Sequence, residues 1–173
     1  MFDDNDIKIF GEKKLTEKEI VANLPKEKIE KAKQIGKSVA EIFIGDYRSQ
    51  LADQSANTEF LTQRILLLSF TATAGFEEYI GDDILIGFAQ KSFLDTVKHE
   101  SGDLYKASSD MGAFSFYYLA FRRDNEIERR IGQTFAMLCS HDGDPIFQEL
   151  GEALFCWFSA KVKAIVEEHL DII

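Results

Sequence analysis

Ile65-Leu66-Leu67-Leu68-Ser69-Phe70-Thr71-Ala72-Thr73-Ala74-Gly75-Phe76 is the longest uncharged run in this chain, twelve residues held between Arg64 and Glu77. A helix at a protein surface shows a single apolar stripe, whereas a helix that is apolar on every face belongs in the middle of a bundle. The flanking residues bound it as helices are bounded. It should begin near Asn57 or Thr58, and Gly81 ends it. The run therefore predicts a central helix near 58–80. Twelve residues are too few to cross a bilayer, which takes about 20.

On the C-terminal side, Asp82 caps a helix over 83–99 built on Ile84, Leu85, Phe88, Phe93, Leu94 and Val97. Ser101-Gly102-Asp103 is a break, and Asp103 opens one helix running through Leu104, Met111, Phe114, Tyr117, Tyr118 and Phe121. Asp124 or Asn125 caps the next, with Glu128 three residues after Asn125 in capping-box spacing. It carries Ile127, Ile131, Phe135 and Leu138 and stops at His141-Asp142-Gly143-Asp144. Pro145 suits the first turn of a last helix capped by Asp144, reaching nearly to Ile173.

On the N-terminal side, Thr16 and Glu19 have the capping-box spacing, and the short helix they open yields before Pro25. Ile29, Ala32, Ile35, Val39, Ile42 and Phe43 then recur at helical spacing toward about residue 50. Residues 1–14 are polar apart from Ile7-Lys8-Ile9-Phe10 and read as a tail or docking arm outside a helical domain, 15–173. No period-2 alternation marks a strand. The expectation is an all-α, compact single-domain bundle of about five to seven helices.

Seven of the eleven glycines fall inside these helical stretches: Gly36, Gly45, Gly75, Gly87, Gly112, Gly132 and Gly151. Each weakens its helix by roughly 1 kcal/mol relative to alanine. Such positions point to helices in close approach, or to a ligand held against backbone. Gly132-Gln133-Thr134-Phe135-Ala136 has the small-x-x-x-small spacing of close helix pairs.

Composition narrows the partners. Residues 1–50 carry ten basic and ten acidic side chains, and residues 51–173 carry ten and twenty, so the whole net charge of −10 lies in the second part. Such a body repels phosphate backbones and anionic membranes, whose recognition rests on Lys and Arg. Cys139 and Cys156 sit in apolar surroundings and read as reduced core thiols. An acidic start, where a secretory leader would be basic, sets the expectation of a cytoplasmic protein without one.

No catalytic residue is assigned. The chain has no Gly-x-Ser-x-Gly elbow, phosphate-binding glycine loop or dinucleotide fingerprint. No cofactor is expected. Glu-x-x-His and His-x-x-x-His spacings are absent, which leaves Asp95 with His99, Cys139 with His141, and the carboxylates Glu77, Glu78, Asp82 and Asp83, as the weak metal candidates. A solvated helix junction accounts for the four carboxylates, and the dipole at a helix C-terminus accounts for His99.

Two groups remain. Phe114, Tyr117, Tyr118 and Phe121 share one helical face and, with Phe155 and Trp157, form the candidate wall of an apolar ligand pocket. Close core packing asks for the same rings. Arg122, Arg123, Arg129 and Arg130 flank one turn and form a candidate anion or partner patch, since guanidinium forks match carboxylate oxygens. The expected function is a non-catalytic cytoplasmic module that works through protein contact and self-association, as a homo-oligomer or with a protein partner. A binder of a small apolar or aromatic ligand is the second expectation, and a metal-dependent helical enzyme the third.

Overall fold

The structure is a computed structural model that describes residues 17–55, 57–109, 111–123 and 125–171. The arm expected over 1–14 and the Thr16 cap lie outside them. The described residues form eight helices and no strand: α1 (Glu17–Asn23), α2 (Lys26–Ala52), α3 (Thr58–Ile80), α4 (Asp83–Glu100), α5 (Gly102–Ala107), α6 (Met111–Phe121), α7 (Ile127–Leu138) and α8 (Pro145–Leu170). The fold is all-α, with one helix more than the upper expectation.

Helix α3 is the axis of the bundle. It packs against α2, α4, α5, α6, α7 and α8, and its buried face extends almost unbroken from Ile65 to Phe76. Thr71 and Thr73 are tolerated there because their hydroxyls donate to the carbonyls of Leu67 and Ser69 on the preceding turn. The Asn57 side chain accepts from the Glu59 amide, and Gly81 closes the helix at φ 75°. Asp82 then accepts from the amides of Ile84 and Leu85 to start α4, and Asp144 accepts from Ile146 ahead of α8.

Two helix pairs carry the closest packing, α2 on α4 and α7 on α8. Gly36 lets the backbone of α4 at Ala89 and Phe93 approach α2, and Gly132 does the same for α8 at Gln148 and Glu152. Gly75 faces Val162 and Gly151 faces Phe135, whereas Gly45 and Gly87 face open space. The small-residue face at Gly132 is therefore occupied within the molecule. Between α2 and α3, Arg64 donates to both oxygens of Asp46, at 2.9 and 2.7 Å, and each side chain is only 13–14% exposed.

Three boundaries differ from expectation. The helix expected from Asp103 through Phe121 is two helices. The hydroxyls of Ser108 and Ser109 both donate to the Tyr105 carbonyl, at 2.9 and 2.7 Å, which competes with helix continuation. Ser101, rather than Asp103, caps α5 by accepting from the Leu104 amide. Asn125 does not cap α7: the cap position is Glu126, in a left-handed conformation at φ 55° and without a side-chain cap bond, while Asp124 is outside the described residues.

Candidate functional site

Two concave features draw on the predicted arginine and aromatic residues. The first is a groove between α6 and α7 of about 230 Å³, lined by Phe116, Leu119, Ala120, Arg123, Arg130, Gln133 and Thr134. Residues three and four apart put Phe116, Leu119 and Ala120 on one side of α6, and Arg123 follows just past its end. Arg130, Gln133 and Thr134 face them from α7. Phe116 is 48% exposed and Leu119 65%, well above the share that a packed side chain leaves in water. Nη1 of Arg130 is buried and has no hydrogen-bond acceptor.

The four-arginine patch divides on this geometry. Arg123 and Arg130 line the groove. Arg122 lies over the Tyr118 ring at 5.9 Å from its centroid. Arg129 pairs with Glu126 at 3.3 Å in an exposed contact of small energetic weight. Glu126 also stands four residues before Arg130, the spacing of a helical ion pair, yet it meets Arg129. Glu126 stands in the left-handed cap position, outside the regular turn on which that spacing rests.

The second feature is a cavity of about 190 Å³ where α3, α7, α8 and the end of α6 meet. Its lining comprises Thr71, Ala74, Gly75, Glu78, Tyr79, Phe121, Ile127, Glu128, Phe155 and Ser159. The hydroxyls of Tyr79 and Ser159 are 2.8 Å apart and share a hydrogen bond. Phe121 and Phe155 stand edge to face with centroids 6.4 Å apart.

Of the six residues expected to wall a pocket, only Phe121 and Phe155 reach this cavity. Phe114, Tyr117, Tyr118 and Phe121 all pack on Phe70 of α3, with centroid distances of 6.0, 5.3, 5.1 and 6.0 Å. Trp157 is 39% exposed and stacks on Phe158. Tyr118 donates to Glu77 at 3.3 Å, and burial, then the Glu77 charge, raises its pKa. The Tyr117 hydroxyl is buried and unpartnered, and burial raises its pKa further. Sequence periodicity found the aromatic face of α6; the partner ring at Phe70 comes from another helix and was not identified.

The weak metal candidates separate. Asp95 pairs with Lys91 at 2.6 Å, Asp82 caps α4, Glu77 accepts from Tyr118, and Glu78 lines the cavity. Asp83 lies beside Val21 and Phe88 on the α1–α4 side, and His99 lines an open groove along α2 and α4. Among the described residues no three His, Cys, Asp or Glu side chains converge as ion ligands.

The remaining candidate pair, Cys139 with His141, gains its neighbours from other parts of the fold. Cys139 and His141 share a small pocket with Asn57, Glu59, Phe60 and Phe147. Proximity does not activate the thiol. Burial first, and then the Glu59 charge, push Cys139 up to about 11. The His141 ring lies flat on Phe147 at 3.9 Å and turns Nδ1 toward Asp144 at 4.0 Å. Iodoacetamide at pH 8 should label exposed Cys156 faster than buried Cys139, because the thiolate is the nucleophile and access also favours Cys156, even though partial burial, then Glu128 and Glu152, raise the Cys156 thiol too. Equal labelling would reveal an activated thiol. As pH rises from the ordinary thiol range toward 11, folded Cys139 retains a proton that the unfolded chain releases, so stability falls over that window.

No family model matches the sequence, and no curated protein or solved structure does so either. Among the described residues no helix is long and apolar enough to cross a membrane.

Proposed function

We propose that this chain is a non-catalytic interaction module of the cytoplasm that self-associates, with the α6–α7 groove of one copy receiving a carboxylate-bearing face of another. The observation that carries the reading is a groove in which Arg123 and Arg130 stand beside exposed Phe116 and Leu119. Arg123 is exposed and Arg130 half-buried, so guanidinium N–H groups remain within reach of a carboxylate from outside, which would form charge-assisted bonds there. Aromatic and arginine side chains beside an apolar patch are also the residue types that dominate binding energy at protein interfaces.

Charge complementarity favours a second copy as the occupant. The chain carries −10 overall, and the groove places two arginines on that acidic body. Two such grooves face to face would repel, so the contact sets a groove against an acidic face. The same net charge disfavours nucleic acid as a partner. The cytoplasmic assignment rests on the two free cysteines, ordinary in a reducing compartment.

Sedimentation velocity across micromolar concentrations tests the proposal. The wild type should associate, and Arg123→Gln with Arg130→Gln should weaken association about tenfold while the melting temperature changes by about 2 °C or less. Phe116→Ser with Leu119→Ser should have the same effect. A monomer at every concentration contradicts self-association. Loss of association that merely tracks loss of stability assigns the arginines to folding.

A further inference from the structure

We propose that the open groove along α2 and α4 is the seat of this chain's own segment Phe2–Phe10, which docks there as an acidic arm with an apolar end. The inference does not depend on the α6–α7 groove, since the two features share no lining residue.

The chemistry of the segment gives the first argument. Phe2-Asp3-Asp4-Asn5-Asp6-Ile7-Lys8-Ile9-Phe10 sets three aspartates against one lysine and ends on the apolar side chains Ile7, Ile9 and Phe10. Residues 51–173 carry twenty acidic and ten basic side chains, so the average surface of the body repels such a segment. The α2–α4 groove, of about 750 Å³, departs from that average. Lys33 and Lys37 from α2 and Lys91 from α4 line it together with the half-buried Phe88.

The charges of the groove are open to a further carboxylate. All three lysines are exposed, and Lys37 has no ion pair among the described residues. Lys33 meets Glu30 and Lys91 meets Asp95 in exposed contacts within one helix, of small energetic weight. The other acidic residue of the lining, Glu100, is paired with Arg48 at 3.3 Å. The Lys33 ammonium stands over the Phe88 ring at 5.8 Å from its centroid, so charge and apolar surface are offered side by side.

The path of the chain gives the second argument. Val21 of α1 shares an adjoining depression with Ile84, Phe88 and Lys91 of α4. Phe88 and Lys91 line both features, so the groove continues from the seat of α1. Glu17, the first residue of α1, is one helical turn from Val21, about 6 Å along the axis. Residues 11–16 join Phe10 to α1 and span up to about 20 Å when extended. The groove follows α4 from Phe88 to His99, about 17 Å of helix, and nine extended residues span about 30 Å. So short a tether makes the contact intramolecular, at an effective concentration on the order of millimolar, and contacts of modest strength suffice.

Carbodiimide cross-linking of the full chain tests this, because the reagent joins a carboxylate to a lysine amine only where the two meet. An equal mixture of natural-abundance and nitrogen-15 protein at low micromolar concentration separates links within one chain from links between copies. Asp3, Asp4 or Asp6 should link to Lys33, Lys37 or Lys91 within one chain, and higher salt should lower the yield. Ile7→Ser with Ile9→Ser and Phe10→Ser should lower it about tenfold, by removing the apolar contact. Amide NMR of that variant should show shifts at Lys33–Lys37 and Phe88–His99. The internal control is the Glu27–Lys31 pair, 3.2 Å apart. Recovery of the control link without any link from the three aspartates to those lysines overturns the proposal. So do links equally frequent between copies, which assign the groove to a second molecule, an undiminished yield in the serine variant, or shifts confined to other helices. The wild-type cross-links decide the matter even if the variant fails to fold.

Discussion

Gly36→Ala and Gly132→Ala should each lower stability by about 3 kcal/mol, near the upper end of ordinary overpacking costs, although alanine is the better helix former. A Cβ at position 36 would stand 2.9 Å from the Phe93 amide nitrogen and closer still to the Ala89 carbonyl oxygen. At position 132 it would stand 3.2 Å from the Glu152 amide nitrogen and closer to the Gln148 carbonyl oxygen. The obstructing atoms are main chain, so they cannot turn aside as a flexible side chain would. The helices must separate, and a packed interface loses contact along its length. In a chain of this size the cost corresponds to about a 10 °C fall in melting temperature. Gly45→Ala and Gly87→Ala should instead stabilise by up to about 1 kcal/mol, since both face open space. Thermal melts of the four variants read the opposite signs directly. A uniform gain would mean that α2–α4 and α7–α8 are not in close approach.

Phe70→Ala should cost about 4 kcal/mol, within the range for removing a buried phenylalanine. Phe70 is fully buried and meets four rings of α6 at 5.1 to 6.0 Å, one stacked and three edge to face. The truncation removes a large transfer term and leaves a void that those rings cannot fill without leaving their rotamers. Trp157→Ala should cost about 1 kcal/mol or less, because that side chain is 39% exposed and stacks on one neighbour. Urea unfolding separates the two through the midpoint at constant slope. Equal losses would place the aromatic face of α6 outside the core.

These contrasts show what local sequence can and cannot convey. The central position of α3 was legible because Ile65–Phe76 offers water no charged face. The starts of α3, α4 and α8 were legible because Asn57, Asp82 and Asp144 satisfy backbone amides within three residues. The break between α5 and α6 was not, because serine is equally compatible with a helix surface until its hydroxyl turns back on a carbonyl. The arginines were legible as a group. Their division into Arg123 and Arg130 on the groove, with Arg122 on Tyr118 and Arg129 on Glu126, depends on how α6 crosses α7. The Asp46–Arg64 bridge, the placing of Asn57, Glu59 and Phe60 beside Cys139 and His141, and the cavity that Glu78 and Glu128 both line each depend on tertiary packing. Even Gly132, read from spacing as a face for a partner helix, meets one inside its own chain.

The docking account is tested most directly by backbone amide NMR of the wild type, recorded from concentrated to dilute solution. It predicts that concentration-dependent shifts cluster at Phe116–Phe121 on α6, at Arg123 beyond its end and at Arg130–Thr134 on α7, together with one acidic surface that supplies the carboxylates. Spectra that do not move with concentration, or shifts that leave both helices untouched, would contradict it.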